Sequence, residues 1–454
     1  MITNRFKSIA YGMALMGGIS PHFSQADTEL NFSGFATLGF SKAFIDEVDT
    51  NGNEYLDEQL NSFEGMTEDV DFRNLNRLGL RLDVPMDDSL SFTTQVIAKG
   101  KKDYKPEIDW LFMTYSFTPN VSVSVGKIRT PLFMFSDYLD VGYAYQWVSP
   151  PFSVYGAPTV NSTEGAKLSW IADLGGDWLS EVQIWSGESN ETLDELNDAP
   201  FTLTDQTGIA WNLEREWLVL RGVYVQGKGT IDILALQTAN AQIAAIEGGI
   251  NQISAQPGVT VDAVDLSSVQ DDVTYTEDKN EFFGLGFMLD FESVFIGAEA
   301  SRVKSDTNLP LGDLDSYYVL TGVRLPADVT LSFTYSVDSD KEKSEIYENY
   351  QDLTRTSIAQ LDATIAFLEA NNPGNPGLPG MKQVRDGAVK FGTDIETTVI
   401  QQQRKERETF TLGARWDFHR QAALKAEYML QNTTIGAQEE VSPKAVRLAI
   451  DLIF

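Results

Sequence analysis

The chain contains no cysteine among its 454 residues, which excludes a disulfide framework and a zinc–thiolate site. Beyond the N-terminal segment there is no run of about 18 apolar residues, so membrane-spanning helices are excluded as well. Cations are scarce, with 34 Lys and Arg against 66 Asp and Glu and a formal net charge of -32. Because such a chain repels phosphate groups, nucleic acid is not expected as a partner.

The first 26 residues have the pattern of a secretory signal peptide. Arg5 and Lys7 form a short basic start, residues 9–19 are largely apolar, and Ser24-Gln25-Ala26 provides a small-x-small cleavage site. The alternative is the ordinary N-terminus of a cytoplasmic protein. We therefore expect residues 1–26 to be a signal peptide and residues 27–454 to form a single exported domain.

The mature region is a succession of segments in which apolar residues alternate with polar or charged ones. In "KAVRLAIDLIF", Leu448 and Ile450 alternate with Arg447 and Asp451, and "RLGLRLDV" and "TFTLGARWDF" repeat the pattern. A soluble sheet that buried the charged face would need to pair every charge. A barrel in lipid has the opposite requirement, with apolar residues outside and polar residues in the lumen.

Sixteen such segments can be counted, and they are joined alternately by tight turns and by longer polar connections. The segments are 29–44, 75–84, 89–100, 108–117, 121–129, 163–173, 178–187, 205–213, 217–227, 281–291, 294–304, 315–325, 329–338, 408–418, 422–433 and 444–454. The pattern predicts an all-β fold, a transmembrane antiparallel β-barrel of 16 strands with both termini at the periplasmic, short-turn end. The last segment must pair with the first, because unpaired backbone groups in lipid cost several kcal/mol each.

The run "VSVSVGKIRTPLFMFSDYLDVGYAYQWVSPPFSVYG" at 121–156 resembles the entry to the third loop of Gram-negative outer-membrane porins of the general and dicarboxylate- or phosphate-type trimeric families. The resemblance implies a homotrimer in the outer membrane, in contact with lipid and lipopolysaccharide, that passes small hydrophilic solutes by passive diffusion. It also implies that the loop at 130–162 folds inward as a constriction loop. The connections at 228–280 and 339–407 are longer than a general porin needs.

Alternation places eight cations in the lumen, six of them on consecutive strands, which would form one basic wall. The eight are Arg77, Arg81, Lys99, Lys167, Arg221, Arg415, Lys425 and Arg447. The constriction loop would face them with Asp137, Tyr138, Asp140, Tyr143, Tyr145 and Trp147. Basic residues on one wall and acidic residues on the facing loop would create a transverse electric field that favours small anions, carboxylates for example. We therefore expect Arg415→Ala or Arg81→Ala to lower the anion preference in reversal-potential measurements.

A second interpretation of the same cations is equally open. They would be neutralised by acidic residues on the same inner face, as structural salt bridges with Asp83, Asp417, Glu427 and Asp451.

Apolar residues recur at spacings of three and four in two of the long connections, at 233–253 and 350–369. This period predicts amphipathic helices. We expect them either to pack on each other, or across a trimer axis, as an extracellular lid, or to lie independently on the barrel rim.

The acidic stretch "DTNGNEYLDEQL" resembles the start of a calcium loop, with Asp49, Asn51 and Asn53 at alternate positions. Glu54 occupies the position that needs glycine and Leu60 the position that needs a bidentate glutamate. A solvated loop is therefore favoured over a metal site, and a role in bridging lipopolysaccharide through divalent ions is a weaker hypothesis.

A barrel-type hydrolase is the main rival to a channel, and an adhesin or structural barrel is another. Once the signal peptide is removed, His419 is the single histidine, and it falls in a tight turn at the periplasmic end. There is no Gly-x-Ser-x-Gly motif, so the nucleophile–base arrangement of common hydrolases is missing. We expect neither catalysis nor a cofactor.

Overall fold

The computed structural model describes residues 30–45, 63–156, 160–193, 199–306, 313–340, 345–395, 405–435 and 440–454. The predicted signal peptide at 1–26 and the candidate calcium ligands Asp49, Asn51 and Asn53 lie outside these residues.

Sixteen antiparallel strands form one closed barrel in which each strand pairs with its neighbours in the chain and β16 pairs with β1. This confirms the predicted fold class. The strands are β1 (Asn31–Phe44), β2 (Arg77–Pro85), β3 (Leu90–Lys99), β4 (Pro106–Thr118), β5 (Val121–Arg129), β6 (Ser162–Gly175), β7 (Trp178–Leu193), β8 (Ala199–Arg215), β9 (Leu218–Ile231), β10 (Asp278–Asp290), β11 (Val294–Ser305), β12 (Leu314–Leu325), β13 (Val329–Asp340), β14 (Lys405–His419), β15 (Ala422–Ile435) and β16 (Lys444–Ile453).

Closure depends on the pairing of the first and last strands. Ten residue pairs join them, from Phe35 opposite Ile453 to Phe44 opposite Lys444. Gly34 and Phe454 then exchange two further backbone hydrogen bonds, of 2.7 Å and 3.0 Å. Every strand in the described barrel therefore has a partner on both sides, as a sheet in lipid requires.

The two faces of each strand differ as the alternation predicts. On β16, Leu448 and Ile450 point outward and are 37% and 38% exposed, whereas Arg447 and Asp451 point inward and are 7% and 0% exposed. The same arrangement around the barrel gives an outer belt of exposed Leu, Ile, Val and aromatic side chains. Such a belt is the surface that hydrocarbon covers.

Aromatic side chains mark both ends of this belt. Near the short turns, Trp217 stacks on Phe291 with ring centroids 6.3 Å apart, and Trp416 packs against Phe418 at 5.6 Å. Toward the other end, Tyr335 packs on Phe410 at 4.9 Å. Two such bands are typical of the membrane–water interfaces, where amphipathic rings are favoured.

The connections alternate between tight turns and long excursions, with one correction to the predicted boundaries. Residues 188–204 were expected to form a long loop, but β7 continues to Leu193 and β8 begins at Ala199. Polar residues such as Ser189 and Gln206 allow this extension, because they bond to each other across the inner face at 3.0 Å. The expected loops at 228–280 and 339–407 are likewise shortened by the ends of β9, β10, β13 and β14.

Helices form within three of the long connections, all of which leave the strands at the same end of the barrel. They are α1 (Phe152–Tyr155), α2 (Leu234–Ser254), α3 (Ser267–Asp272), α4 (Glu345–Asn371) and α5 (Leu378–Ile395). Among the described residues, none of the helices combines the length and the apolar character needed to cross a membrane. The helical periods at 233–253 and 350–369 correspond to α2 and α4.

Helices α2 to α5 share one apolar core, which we call the helical cluster. Ile243 and Ile250 of α2, Leu361 of α4 and Phe391 of α5 are all buried in it. α5 was not predicted; it follows α4 after a turn rich in Pro and Gly, and it packs between the two expected helices, with Val384 against Gly249. The expected helices therefore belong to one cluster rather than lying independently, while a lid function stays a prediction.

The assignment of inner and outer faces can be tested directly, because the chain has no native cysteine. We expect a polarity-sensitive label on Leu448→Cys in lipid vesicles to report hydrocarbon, since Leu448 belongs to the outer belt. A label on Arg447→Cys, one residue away on the inner face, serves as the matched control and should report polar surroundings. Equal wetting of the two labels would contradict the barrel orientation.

Candidate pore constriction

The chain leaves the barrel wall at the end of β5, three residues after a local irregularity in the strand backbone at Gly126. Gly126 has a φ of 133°, and a Cβ on it would lie only 2.3 Å from the carbonyl oxygen of Leu111. β5 stays paired with β6 as far as Arg129, where the alternation ends: Arg129 is buried, with its Nε donating to the Ser136 carbonyl oxygen at 2.9 Å. Residues 130–156, which we call the inner loop, consequently turn into the lumen.

One side of the inner loop is apolar and aromatic. Phe133 packs edge-on against Phe282 of β10 with centroids 5.2 Å apart, and Trp147 packs against Tyr318 of β12 at 5.4 Å. Inward-facing residues of β7 to β12, such as Trp185, Val223 and Phe295, join the same buried cluster. Edge-to-face aromatic packing and burial away from water favour this contact, so the loop fills this side of the lumen.

The other side of the inner loop is held by buried cations of β14 and β15. Arg415 Nη1 donates to the carbonyl oxygens of Tyr143 and Tyr145 at 2.8 Å and 2.7 Å. Lys425 Nζ donates to the Trp147 carbonyl oxygen at 2.7 Å and also to that of Gly142. Because charged donors make stronger hydrogen bonds than neutral ones, these contacts anchor the loop to the wall.

Gly142 is required for this close approach. A Cβ at Gly142 would lie 2.1 Å from Oδ1 of Asp451, which itself accepts from the Thr37 hydroxyl at 2.6 Å and pairs with Lys425 at 2.9 Å. Any side chain at this position would push the loop away from the anchoring cation. The sequence shows the glycine, but not the carboxylate it must approach.

The four expected salt bridges all form, which supports the second interpretation of the basic residues. The pairs are Arg81 with Asp83 at 2.7 Å, Arg415 with Asp417 at 2.7 Å, Lys425 with Asp451 at 2.9 Å and Arg447 with Glu427 at 3.8 Å. Arg447 additionally pairs with Glu64 from the first long connection.

The expected basic wall therefore needs a correction. Lys425, Arg447, Arg415 and Arg221 point inward as predicted but are only 1%, 7%, 8% and 8% exposed. The inner loop and the segment around Glu64 cover them, so these side chains hold protein groups instead of lining water. Arg221, for example, donates to the Pro131 carbonyl oxygen and to Asn212.

A compact charge cluster fixes the middle of the inner loop. Asp140 pairs with Lys99 at 2.9 Å and lies 3.6 Å from Arg129, which also faces Asp109 at 3.5 Å. Burial alone would raise the pKa of Asp140, but the neighbouring Lys99, Arg129 and Arg77 outweigh it and hold that pKa below its usual range. Asp140 therefore stays ionised and anchors the loop.

The remaining predicted residues lie on the inner loop or on the inner face of the barrel. Arg77 donates to the Tyr145 hydroxyl at 2.9 Å, and Tyr143 donates to the Arg420 carbonyl oxygen at 2.9 Å. Asp137 and Tyr138 are partly exposed, and Tyr138 packs edge-on against Phe135. Lys167 points into the lumen and is also partly exposed.

Two residues that sequence reasoning missed also hold the loop. Glu299 of β11 accepts from the Met134 backbone N–H at 2.7 Å and from the Tyr155 hydroxyl at 2.6 Å. Thr334 of β13 accepts from the Trp147 indole at 2.8 Å. Glu299 could have been found from its position, because it is the one charged residue among the alternate residues Phe295, Gly297, Glu299, Ser301 and Val303 on the inner face of β11.

The inner loop covers the wall unevenly. On β11 to β16 and β1, inward side chains at mid-barrel are buried; these include Glu299, Tyr318, Thr334, Thr411, Lys425, Arg447 and Thr37. On β2 to β7 the inward side chains are mixed: Thr93, Gln95, Trp110, Ser124 and Trp185 are buried, whereas Arg81, Lys99, Thr114, Lys167, Ser169 and Glu181 are partly exposed. Among the described residues, the partly exposed polar side chains at mid-barrel therefore lie mainly on the β2 to β7 side of the inner wall.

Solved structures with the same architecture are outer-membrane proteins. A loop L8 deletion mutant of OmpT, an outer membrane protein of Vibrio cholerae, matches with a TM-score of 0.51 and 12% identity over 94% of this chain and 100% of that chain. Salmonella typhi OmpF, in complex with daunomycin, matches with a TM-score of 0.50 and 10% identity over 94% and 98%. The fold is that of a porin-like outer-membrane barrel. At these identities the likeness concerns the fold alone.

No protein-family profile matches the chain, and no curated protein sequence matches it. The closed 16-strand barrel with its apolar belt fits placement in an outer membrane.

No group of three or more metal-ligating side chains occurs in the part of the chain that the structure describes. His419 is exposed at the end of β14, where its Nδ1 accepts from the Gln421 backbone N–H at 3.2 Å.

The anchoring role of Lys425 predicts a change in both stability and conductance. In Lys425→Met, Asp451 keeps a buried charge without its partner, and such a loss typically costs about 3–5 kcal/mol. We expect a lower unfolding temperature in detergent and, because the Gly142 and Trp147 carbonyls are released, larger and noisier single-channel currents.

The double variant Lys425→Met/Asp451→Asn is the matched control for the charge effect. It should recover most of the stability while retaining the altered current, since the carbonyl anchors are still missing. Wild-type stability together with wild-type current in Lys425→Met would contradict the anchor.

Proposed function

We propose that this protein is an outer-membrane porin, a water-filled channel through which small hydrophilic solutes diffuse passively. The observation that carries the proposal is the inner loop, which packs on one side of the lumen and leaves polar side chains of β2 to β7 accessible to water on the other. A passage bounded by a fixed loop and a polar wall limits solute size without any moving part.

We also propose that the channel prefers small anions, carboxylates among them. This preference cannot rest on the whole set of eight predicted lumen cations. Most of its cations are paired or buried, and buried pairs exert little net field on a solute. The charge preference must then come from cations on the accessible side. Arg81 and Lys99 there are paired with Asp83 and Asp140.

We propose that the protein is not an enzyme. His419 is exposed in a short turn at the end opposite to the long connections, and it has no serine or carboxylate among the partners described for it. A hydrolase that acts on lipid or at the outer surface needs its base near that surface. An adhesin or structural barrel is the rival that a dry lumen would favour.

We further propose that the barrel is a homotrimer that contacts lipid and lipopolysaccharide. The aromatic bands and the apolar belt support the lipid contact. The resemblance of the loop entry to trimeric porins is the ground for three subunits.

The decisive experiment is conductance of the purified full-length protein in planar bilayers. We expect stepwise, ohmic currents in KCl, with steps grouped in threes if the barrels insert as trimers. His419→Ala, which leaves the lumen untouched, should conduct as wild type does and serves as the control. Folded barrel that inserts without carrying current would overturn the porin proposal and favour the adhesin.

A further inference from the structure

We propose that solutes pass along a hydroxyl-lined strip on the inner faces of β4, β5 and β6, and that Lys167 sets the anion preference there. This inference rests on the proposed channel function, and it names the part of the inner wall that distinguishes anions from cations.

The strip is a continuous patch of small polar side chains. Thr114 of β4 lies opposite Ser124 of β5, and Ser124 lies opposite Lys167 of β6. One step toward the short turns, Ser122 lies opposite Ser169. Directly opposed residues in an antiparallel sheet project from the same face, so all five side chains line the lumen together.

This patch differs from the rest of the inner wall. The Thr114 and Ser124 hydroxyls share a hydrogen bond of 2.8 Å, and the five side chains of the strip include no carboxylate and no apolar residue, although Phe112 of β4 and Trp185 of β7 border them. Across the lumen, the inner faces of β10 to β12 carry Phe282, Phe295 and Tyr318, which the inner loop covers. The partly exposed hydroxyls of Thr114, Ser122 and Ser169 are available on the strip to replace water molecules around a passing ion, whereas Ser124 is 8% exposed and bonds to Thr114.

Lys167 differs from the other lumen cations in lacking a partner. Arg81, Lys99, Arg415, Lys425 and Arg447 pair with carboxylates, while Arg77 and Arg221 donate to Tyr145 and to the Pro131 carbonyl oxygen. Within the described part of the chain, Lys167 forms neither an ion pair nor a side-chain hydrogen bond, and it is partly exposed. Its charge is therefore available to a solute.

The nearest carboxylate toward the short turns is already engaged. Glu181 of β7 accepts from Gln183 Nε2 at 2.8 Å and from Asn212 Nδ2 at 3.3 Å, and it lies opposite Ile171, four residues beyond Lys167. Salt at 0.1 M screens charges over about 10 Å, so only charged groups close to a passing ion influence the anion preference. An unpaired ammonium next to the hydroxyls of Ser124 and Ser169 favours small anions, with chloride and carboxylates as the simplest cases.

The first test removes this charge. We expect Lys167→Gln to lower the chloride-to-potassium permeability ratio, read from the reversal potential in a KCl gradient. The decrease should reach up to about fivefold, the factor that corresponds to the ~1 kcal/mol between unit charges 4 Å apart in water. Lys167→Arg should retain the wild-type ratio.

The matched control is Lys127→Gln on the adjacent strand. Lys127 lies opposite Leu111 and Glu164, and Leu111 belongs to the exposed outer belt, so this variant removes the same charge from the outer face. Its permeability ratio should equal that of wild type.

The second test locates the passage independently of selectivity. In the cysteine-free chain, Lys167→Cys should react with a negatively charged methanethiosulfonate reagent in the bilayer and lose conductance. Leu168→Cys, the next residue, points into the outer belt and should show no change.

The outcomes separate the two proposals. A wild-type barrel that carries no current would overturn the porin proposal itself. A conducting wild type with unchanged ratio in Lys167→Gln, or with unmodified Lys167→Cys, would overturn this inference and leave the porin proposal intact.

Discussion

Complete pairing of the strand backbones is the constraint on which the rest of this structure depends. A hydrocarbon layer offers no hydrogen-bond partner, so the first and last strands must meet, and β1 and β16 do so over ten residue pairs. Once the sheet is closed, each side chain faces either lipid or the lumen. Many charged residues of the alternating segments then face the lumen, and the protein must pair, bury or hydrate each of them.

On one side of the lumen, the inner loop supplies partners for most of the inward-facing charges. Lys425, Arg415 and Asp140 are satisfied by loop carbonyls and by opposite charges, and the aromatic residues of the loop cover the apolar wall of β7 to β12. The loop is thus both the obstruction in the lumen and the means by which buried charges find partners. This double role explains why strands far apart in the sheet contribute to one contact.

The sequence predicted strands well because hydrocarbon enforces a strict period of two on both faces. It predicted α2 and α4 from their apolar period but missed α5, whose buried residues are separated by Gly380, Gly387 and Gly392. The four salt bridges followed from residues two apart on a strand, or directly or diagonally opposite on β15 and β16. The carbonyl anchors at Tyr143, Tyr145 and Trp147 did not, because main-chain acceptors leave no trace in side-chain chemistry.

The aromatic packing inside the barrel has a consequence for how large an opening the wall can enclose. Phe133, Trp147, Tyr318 and Phe282 form a solid core on one side of the cross-section, as in the interior of a water-soluble domain. Strand number fixes the circumference of this barrel, whereas its bore is set by how far that core extends toward β5. Two barrels of equal perimeter can accordingly differ widely in the molecules they admit.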